Sequence, residues 1–296
     1  MKHFFLRLIN PVQWIKAYRF HRANSKYDKS SYDLELFLYS KILKNDMLHY
    51  GYFDDVNVET ETISIRQFED AQIKYVSNII NQIKNTEGLM LDVGCGMGGL
   101  SGMLLEKNYN VEALTPNSNQ KQHIDNKYTG LLCHHMKFED YNTDKKYDTI
   151  INSESLQYIN LDTAFAHVDK LLNSGGRWII ADYFRTGENA TNLSGHKLED
   201  FKEKIKSKGW NLVYEQDISL NVLPTIKFAY AFANRFLLPI KHFAFEKLRY
   251  KLGWLYYMGY NLHTSINKKI EKEMCAIDPE IFLHDKKYFL FTIEKV

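Results

Sequence analysis

The sequence has little cysteine: Cys95, Cys133 and Cys275 are the three in 296 residues, and no CxxC pair occurs. That excludes a disulfide framework and a zinc site of ordinary spacing, and leads us to expect a reducing, cytoplasmic setting. Long hydrophobic runs are missing too. No window of about 18 residues is apolar and uncharged, so no membrane-spanning helix is expected. The N-terminal apolar stretch is short and broken by Arg7 and Pro11, which speaks against an ordinary signal peptide. Internal repeats and low-complexity tracts are absent, which removes solenoids and arrays. What remains is 45% hydrophobic, 25% charged and 14% aromatic, enough to bury a core and too apolar for disorder.

The net charge of +2 conceals an asymmetry. Residues 1–30 hold seven Lys/Arg against Asp28, and residues 221–260 hold six against Glu246, which leaves the rest of the chain at −9. Both basic segments are rich in large apolar groups, among them Trp14, Tyr18 and Phe20 in the first and eleven aromatic residues in the second. Cationic heads beside aromatic bodies suit an anionic membrane surface or a greasy substrate. The plainer reading is two amphipathic helical segments packed on the core.

Hydrophobic periodicity predicts helices over 3–26, 31–45 and 64–84, the last with Phe68, Ile73, Val76, Ile80 and Ile83 on one face. From residue 89 the pattern alternates. Strands are expected at 89–93, 110–115, 130–136, 147–153 and 177–184, with helices at 98–107, 117–127 and 161–172 between them. A helix over 197–208, a strand over 210–218 and a closing strand over 286–296 follow. This alternation predicts a doubly wound α/β sheet, mostly parallel with an antiparallel last strand. We expect residues 1–85 to be a helical segment over the cofactor site, 86–218 with 284–296 to be the Rossmann-like core, and 219–283 to be a helical cap over the strand ends.

LMLDVGCGMGGL (89–100) runs a strand into Gly94-x-Gly96-x-x-Gly99 and then a helix, the arrangement that lets backbone approach a nucleotide. A dinucleotide site would want an acid closing the second strand, and Glu112 falls inside that strand, which argues against NAD. Asp92 would be expensive if merely buried, so it is expected to accept turn amides or face a cation.

With Asp92 included, LDVGCGMGG resembles motif I of class I S-adenosylmethionine-dependent methyltransferases. VEALTPNSNQ (111–120), FEDY (138–141), YDTIINSESLQYI (147–159), LHYGYF (48–53) and EDAQ (69–72) extend the likeness to the subgroup of cyclopropane-fatty-acid synthases and of sterol and tocopherol methyltransferases. Ala113 and Asn117 depart from the subgroup's second-strand pattern, and Phe138 stands where a Trp is usual. The resemblance spans roughly 27–296. It implies S-adenosylmethionine as cofactor, held by Tyr27, Tyr50, Asp92, Gly94, Cys95, Gly96, Gly99, Thr115, Gln120, Phe138, Glu139 and Ser153, with Cys95 a small filler of the turn. It implies methyl transfer to a hydrophobic or amphipathic small molecule, isoprenoid, polyketide or lipid-like, at carbon, oxygen or nitrogen.

Two residues are expected to carry chemistry. Glu154 lies just past the fourth strand, where the sterol- and tocopherol-type relatives also carry Glu; it could accept a proton or stabilise developing positive charge. His49 could act as a base. Tyr52, Tyr158, Asp182 and Tyr183 are expected along the substrate. The cyclopropane synthases carry an acid where this chain has Gln157, which disfavours cyclopropanation. His134-His135 lacks a third ligand at supporting spacing, so no metal is expected. No N-P-P-Y-type element follows the fourth strand, so no nucleic-acid partner is expected. A nicotinamide oxidoreductase and a non-catalytic S-adenosylmethionine-binding scaffold are the alternatives. Sequence gives no oligomeric state.

Overall fold

The computed structural model describes residues 9–24, 45–187 and 193–296; residues 31–44 of the helix expected over 31–45, and Tyr27, lie outside them. Among the described residues there are eight strands, β1 (Met90–Val93), β2 (Val111–Thr115), β3 (Leu132–His135), β4 (Tyr147–Ser153), β5 (Leu172–Arg185), β6 (His196–Lys197), β7 (Asn211–Asp217) and β8 (Lys286–Glu294). They form one sheet in the order β3-β2-β1-β4-β5-β8-β7, with β6 paired to the end of β5. All pairings are parallel except those of β8, which runs antiparallel to both β5 and β7. This is the doubly wound architecture expected, with the closing strand inserted between two earlier ones.

Helices α1 (Pro11–Asn24), α2 (Ile65–Ile80), α3 (Gly99–Glu106), α4 (Ser118–Lys127), α5 (Leu161–Leu171) and α6 (Leu198–Lys208) precede β7. Their ends are written in the sequence. Ser64 and Gln67 make a reciprocal capping box at the start of α2, Asn117 and Asn160 cap α4 and α5, and Gly209 closes α6 in the left-handed conformation.

Period-two alternation divides the core between the faces of the sheet. On β5, Trp178, Ile180 and Phe184 enter one cluster with Phe165, Phe201 and Phe291, while Ile179 and Ala181 enter the other with Tyr75, Ile79 and Tyr288. The central strands β1, β2, β4 and β8 are buried on both sides, as a sheet covered by helices on each face requires, while the edge strands β3 and β7 are largely exposed.

Between β7 and β8 the chain is helical, as expected. Helix α7 (Ser219–Phe232) continues through one π-turn (Ala233–Leu237) into α8 (Leu238–Lys251); α9 (Gly253–Met258), α10 (Tyr260–Ala276) and α11 (Pro279–Asp285) follow. Only the root of this insertion enters the core, through Val222, Leu223 and Ile226 on α7 and Phe282 on α11.

Candidate functional site

The sheet order reverses direction at β1 and β4, and there the chain leaves the strands on opposite sides and opens a crevice at their carboxyl ends. A cleft of 640 Å³ occupies this place, lined from 46–49, 92–100, 114–120, 137–139 and 153–159, and by no residue of 219–283.

The floor is the glycine turn. Gly94, Gly96 and Gly98 have φ of 72°, 57° and 87°, and Gly94 N–H donates to the Leu114 carbonyl at 2.8 Å. A Cβ on Gly94 would stand 2.5 Å from the Ser155 Cβ, so the turns after β1 and β4 interlock only because this residue is glycine. Ser155 completes the join by donating from Oγ to the Val93 carbonyl at 2.5 Å. Gly99 serves differently: its Cβ would stand 2.8 Å from the Asp46 carbonyl, so its bareness admits the segment that covers the site.

Asp92 is buried at the end of β1. Its side chain accepts from the Ser101 hydroxyl at 2.5 Å rather than from turn amides, and burial pushes its pKa up to about 6. Thr115, at the end of β2, donates to Gln120 Oε1 at 2.5 Å, and both line the cleft with Phe138 and Glu139. Glu112 is spoken for within the sheet: Lys145, His134 and Tyr147 hold it, against its burial, below the usual carboxylate range. Thus β2 ends without an acid facing the cleft, and the His134 ring is engaged by Glu112.

Residues 45–53 form a strap over the opposite side. Gln72 of α2 is buried and donates from Nε2 to the carbonyls of Met47 and His49 at 2.9 and 2.8 Å, while Asn45 donates to its Oε1. Gly51 N–H donates to Thr225 Oγ1, and Phe53 exchanges two hydrogen bonds with Asn221, tying the strap to α7.

Two chemical groups, His49 and Glu154, line the cleft at the wall so formed. His49 stacks on Tyr75 at 4.3 Å; its Nδ1 pairs with the Tyr50 carbonyl at 2.8 Å and so carries the proton. Burial lowers its pKa to about 4, and its Nε2, a bare lone pair, is buried without a partner. Glu154 sits in the left-handed region at φ 52°, a costly conformation for this residue type, which aims its carboxylate into the crevice. Its N–H donates to the Ala181 carbonyl. Its Oε1 accepts from Tyr50 N–H at 2.9 Å and from Tyr288 Oη at 2.8 Å, and Tyr288 in turn meets Tyr75 Oη at 2.7 Å. Burial raises the Glu154 pKa to about 7 against both donors.

The structure therefore brings His49, Asp92, Gly94, Cys95, Gly96, Gly99, Thr115, Gln120, Phe138, Glu139, Ser153, Glu154 and the exposed Tyr158 to one cleft. It places others elsewhere. Tyr50 reaches Glu154 through its amide while its ring packs on Tyr288. Tyr52 lines a separate polar groove with Asp54, Lys74 and Tyr214. Asp182 is buried under the 3-10 turn, accepting from Gln157 N–H, and Tyr183 lies beneath the Lys286 ammonium at 4.1 Å. Sequence reasoning missed Tyr75, Tyr288, Ser155 and Gln72; Gln72 stands inside the EDAQ motif, and the two tyrosines read as ordinary core.

Comparison with known proteins agrees with this architecture. A model of the mycolic acid cyclopropane synthetase family matches residues 20–222. An uncharacterized methyltransferase of Alkaliphilus oremlandii (strain OhILAs) is 22% identical over 183 residues, 60% of this chain and 76% of that one. Among solved structures, the geranyl diphosphate C-methyltransferase of Streptomyces coelicolor A3(2), in complex with Mg2+, geranyl diphosphate and S-adenosyl-L-homocysteine, superposes with a TM-score of 0.63 at 13% identity, covering 84% of this chain and 90% of that one. The cyclopropane synthase MmaA2 of Mycobacterium tuberculosis does so with a TM-score of 0.62 at 15% identity, covering 90% and 95%.

Proposed function

This chain belongs to the mycolic acid cyclopropane synthetase family and is an S-adenosylmethionine-dependent methyltransferase, and from that premise we propose that it methylates a hydrophobic or amphipathic small molecule, with Glu154 as the group that receives the proton the acceptor loses. The observation that carries the reading is the Glu154 carboxylate, fixed at the cleft wall by Tyr50 N–H and Tyr288 Oη on a residue held in the left-handed region.

The cleft fits the cofactor. Its floor leaves no room for a Cβ at Gly94, Thr115 and Gln120 offer neutral polar atoms for ribose hydroxyls, and Asp92 offers a buried carboxylate. Bound S-adenosylmethionine supplies an electrophilic methyl group on a cationic sulfur. The protein's part is to position the acceptor, exclude water and take up a proton.

Magnitudes divide the labour between the two candidate bases. A general base works best with a pKa near the working pH, which Glu154 at about 7 meets and His49 at about 4 does not. His49 Nε2 is then the hydrogen-bond acceptor that orients an O–H or N–H of the substrate, and Glu154 the proton acceptor or the counter-charge to a methylated alkene. A solved structure of this fold holds geranyl diphosphate, which supports an isoprenoid-like acceptor, and peripheral contact with an anionic membrane belongs to the same reading. The nicotinamide alternative finds no support, since Glu112 is committed to Lys145, His134 and Tyr147.

The test is calorimetric titration with S-adenosylmethionine and S-adenosylhomocysteine, followed by a screen of lipophilic acceptors for methylated product. Glu154→Gln is expected to keep S-adenosylhomocysteine affinity within about threefold and to lower turnover by about 100-fold or more, the range of a lost general base. Unchanged turnover sinks the role of Glu154; Asp92→Ala binding both ligands as well as the wild type sinks the assignment of the cleft.

A further inference from the structure

The insertion between β7 and β8 contributes nothing to the cleft lining, yet it holds much of the molecule's exposed apolar surface. Its first limb is one helical rod. α7 is anchored in the core by Val222, Leu223 and Ile226, and the rod runs on through the π-turn, where Ala233 is the last buried residue, into α8 and α9, which have none. From 233 to 251 the rod extends roughly 28 Å at the helical rise. α10 returns alongside. His263 lies between the rings of Phe245 and Tyr256 at 4.5 and 4.4 Å, and Lys241 Nζ donates to Asn267 Oδ1, so the two limbs hold one shape.

The 14-residue helix α8 has no fully buried residue: it packs along one side on α10 and leaves the rest of its surface bare, where an isolated helix of that length would be marginal. The side chains it and α9 present are Phe243, Tyr250, Tyr257 and Met258, 64, 77, 80 and 76% exposed. The charge is one-sided. From 218 to 270 the sequence carries eight Lys/Arg and a single acid, Glu246, which Arg249 meets at 3.4 Å; residues 247–270 hold no acid at all. Cations lie over aromatic rings, Lys247 over Phe243 and Arg249 over Tyr250.

We propose that the end of this helical hairpin, residues 240–258, docks on an anionic phospholipid bilayer. Aromatic and aliphatic side chains enter the headgroup and upper acyl region, as such residues do at interfaces, while Lys and Arg stay with the phosphates. The charge selects this occupant over a second copy of the chain, since pairing two such surfaces would set like charges together. The exposed Ile240 and Met258 have no use on a nucleic-acid backbone and do have one among acyl chains. The inference rests on the reading of a hydrophobic acceptor for its purpose, but its test uses no acceptor.

The full chain is sedimented at low ionic strength with phosphatidylcholine vesicles, with and without phosphatidylglycerol. We expect binding to the anionic vesicles, weakening as salt rises. The combined variant Phe243→Ser, Tyr257→Ser, Met258→Ser alters only exposed groups and is expected to bind vesicles at least about tenfold more weakly. Lys247→Gln, Arg249→Gln, Lys251→Gln is expected to lose on the order of 100-fold toward the anionic vesicles, each charge counting for about fivefold, and nothing toward the neutral ones. S-adenosylhomocysteine titration of each variant confirms that the core is intact. Absence of binding by the wild type at low salt overturns the proposal, as does binding that neither variant weakens. A concentration-dependent dimer that the apolar variant dissolves, with no vesicle binding, assigns the surface to a second copy instead. If vesicles bind while Glu154→Gln leaves turnover unchanged, the catalytic reading falls alone.

Discussion

Glu154 is held by two donors and still prefers its proton, because burial outweighs both hydrogen bonds. Its pKa, about 7 against an ordinary 4.5, gives a stability contribution complete below the unfolded value and lost as pH rises through 7, where the folded carboxyl must ionise. Glu154→Gln cannot ionise and keeps an oxygen for Tyr50 and Tyr288. The variant is expected to melt with the wild type at about pH 4 and above it at about pH 8, with the margin opening in between. A constant margin across that window would mean that Glu154 does not titrate there. Tyr288→Phe removes a donor that favours the charged form, so the Glu154 carboxyl signal in a carbon-13 titration is expected to move to higher pH; an unmoved titration denies the contact a part. Position at a strand end made Glu154 legible in the sequence. Tyr288 was not, because it lies 134 residues away and its alternation on β8 marks it only as core.

The strap and α2 depend on each other through one side chain. Gln72 satisfies two carbonyls of a segment that otherwise lacks regular structure, and each buried carbonyl left bare costs roughly 1–3 kcal/mol. Gln72→Leu fills the space and removes both donors, so the strap is expected to detach before the sheet unfolds. Hydrogen exchange should then quicken at the amides of 50–53 while those of β1 stay protected, and S-adenosylmethionine affinity should fall by about tenfold or more. Unchanged exchange over 50–53 would show that the ties to Thr225 and Asn221 suffice. Most elements were legible because short apolar strands and capped helices announce themselves locally, down to β4 over 147–153. The strap was legible only as the LHYGYF likeness: it has no periodicity, and its hydrogen bonds come from residues far along the chain. The insertion over 219–283 read correctly as helical, but its expected place over the strand ends did not follow from helicity, and the cleft is lined without it.

Across the whole molecule the acids divide by position. Asp46, Glu112, Asp169, Asp217 and Glu294 lie near amines or other donors that hold them below their ordinary values, so what they add to stability is present above those values and lost as pH falls. His49 acts in the same direction, its stability lost between about 6.5 and 4 as the unfolded imidazole takes a proton that the folded ring refuses. Asp92, Glu154 and Asp182 are the reverse. They come from the adjacent strands β1, β4 and β5 at one sheet edge, and burial raises them to about 6, 7 and 8, with the Glu154 charge raising Asp182 further. Near neutral pH Asp182 and about half of Glu154 hold protons that a nearby cation would expel, while Asp92 is already mostly ionised. S-adenosylmethionine differs from its demethylated product by one positive charge at sulfur, so the two ligands should see this edge differently. Titrating each in buffers of different ionisation enthalpy near about pH 7 is expected to show net proton release on binding S-adenosylmethionine and less with S-adenosylhomocysteine. The preference for the charged ligand should accordingly widen as pH rises from about 6 to about 8. Such a site would let go of the spent cofactor more readily than the loaded one, using the buried acids rather than any moving part. Equal proton counts for the two ligands would show that these acids do not sense the sulfur's charge, and would leave Asp182 a structural acceptor for Gln157.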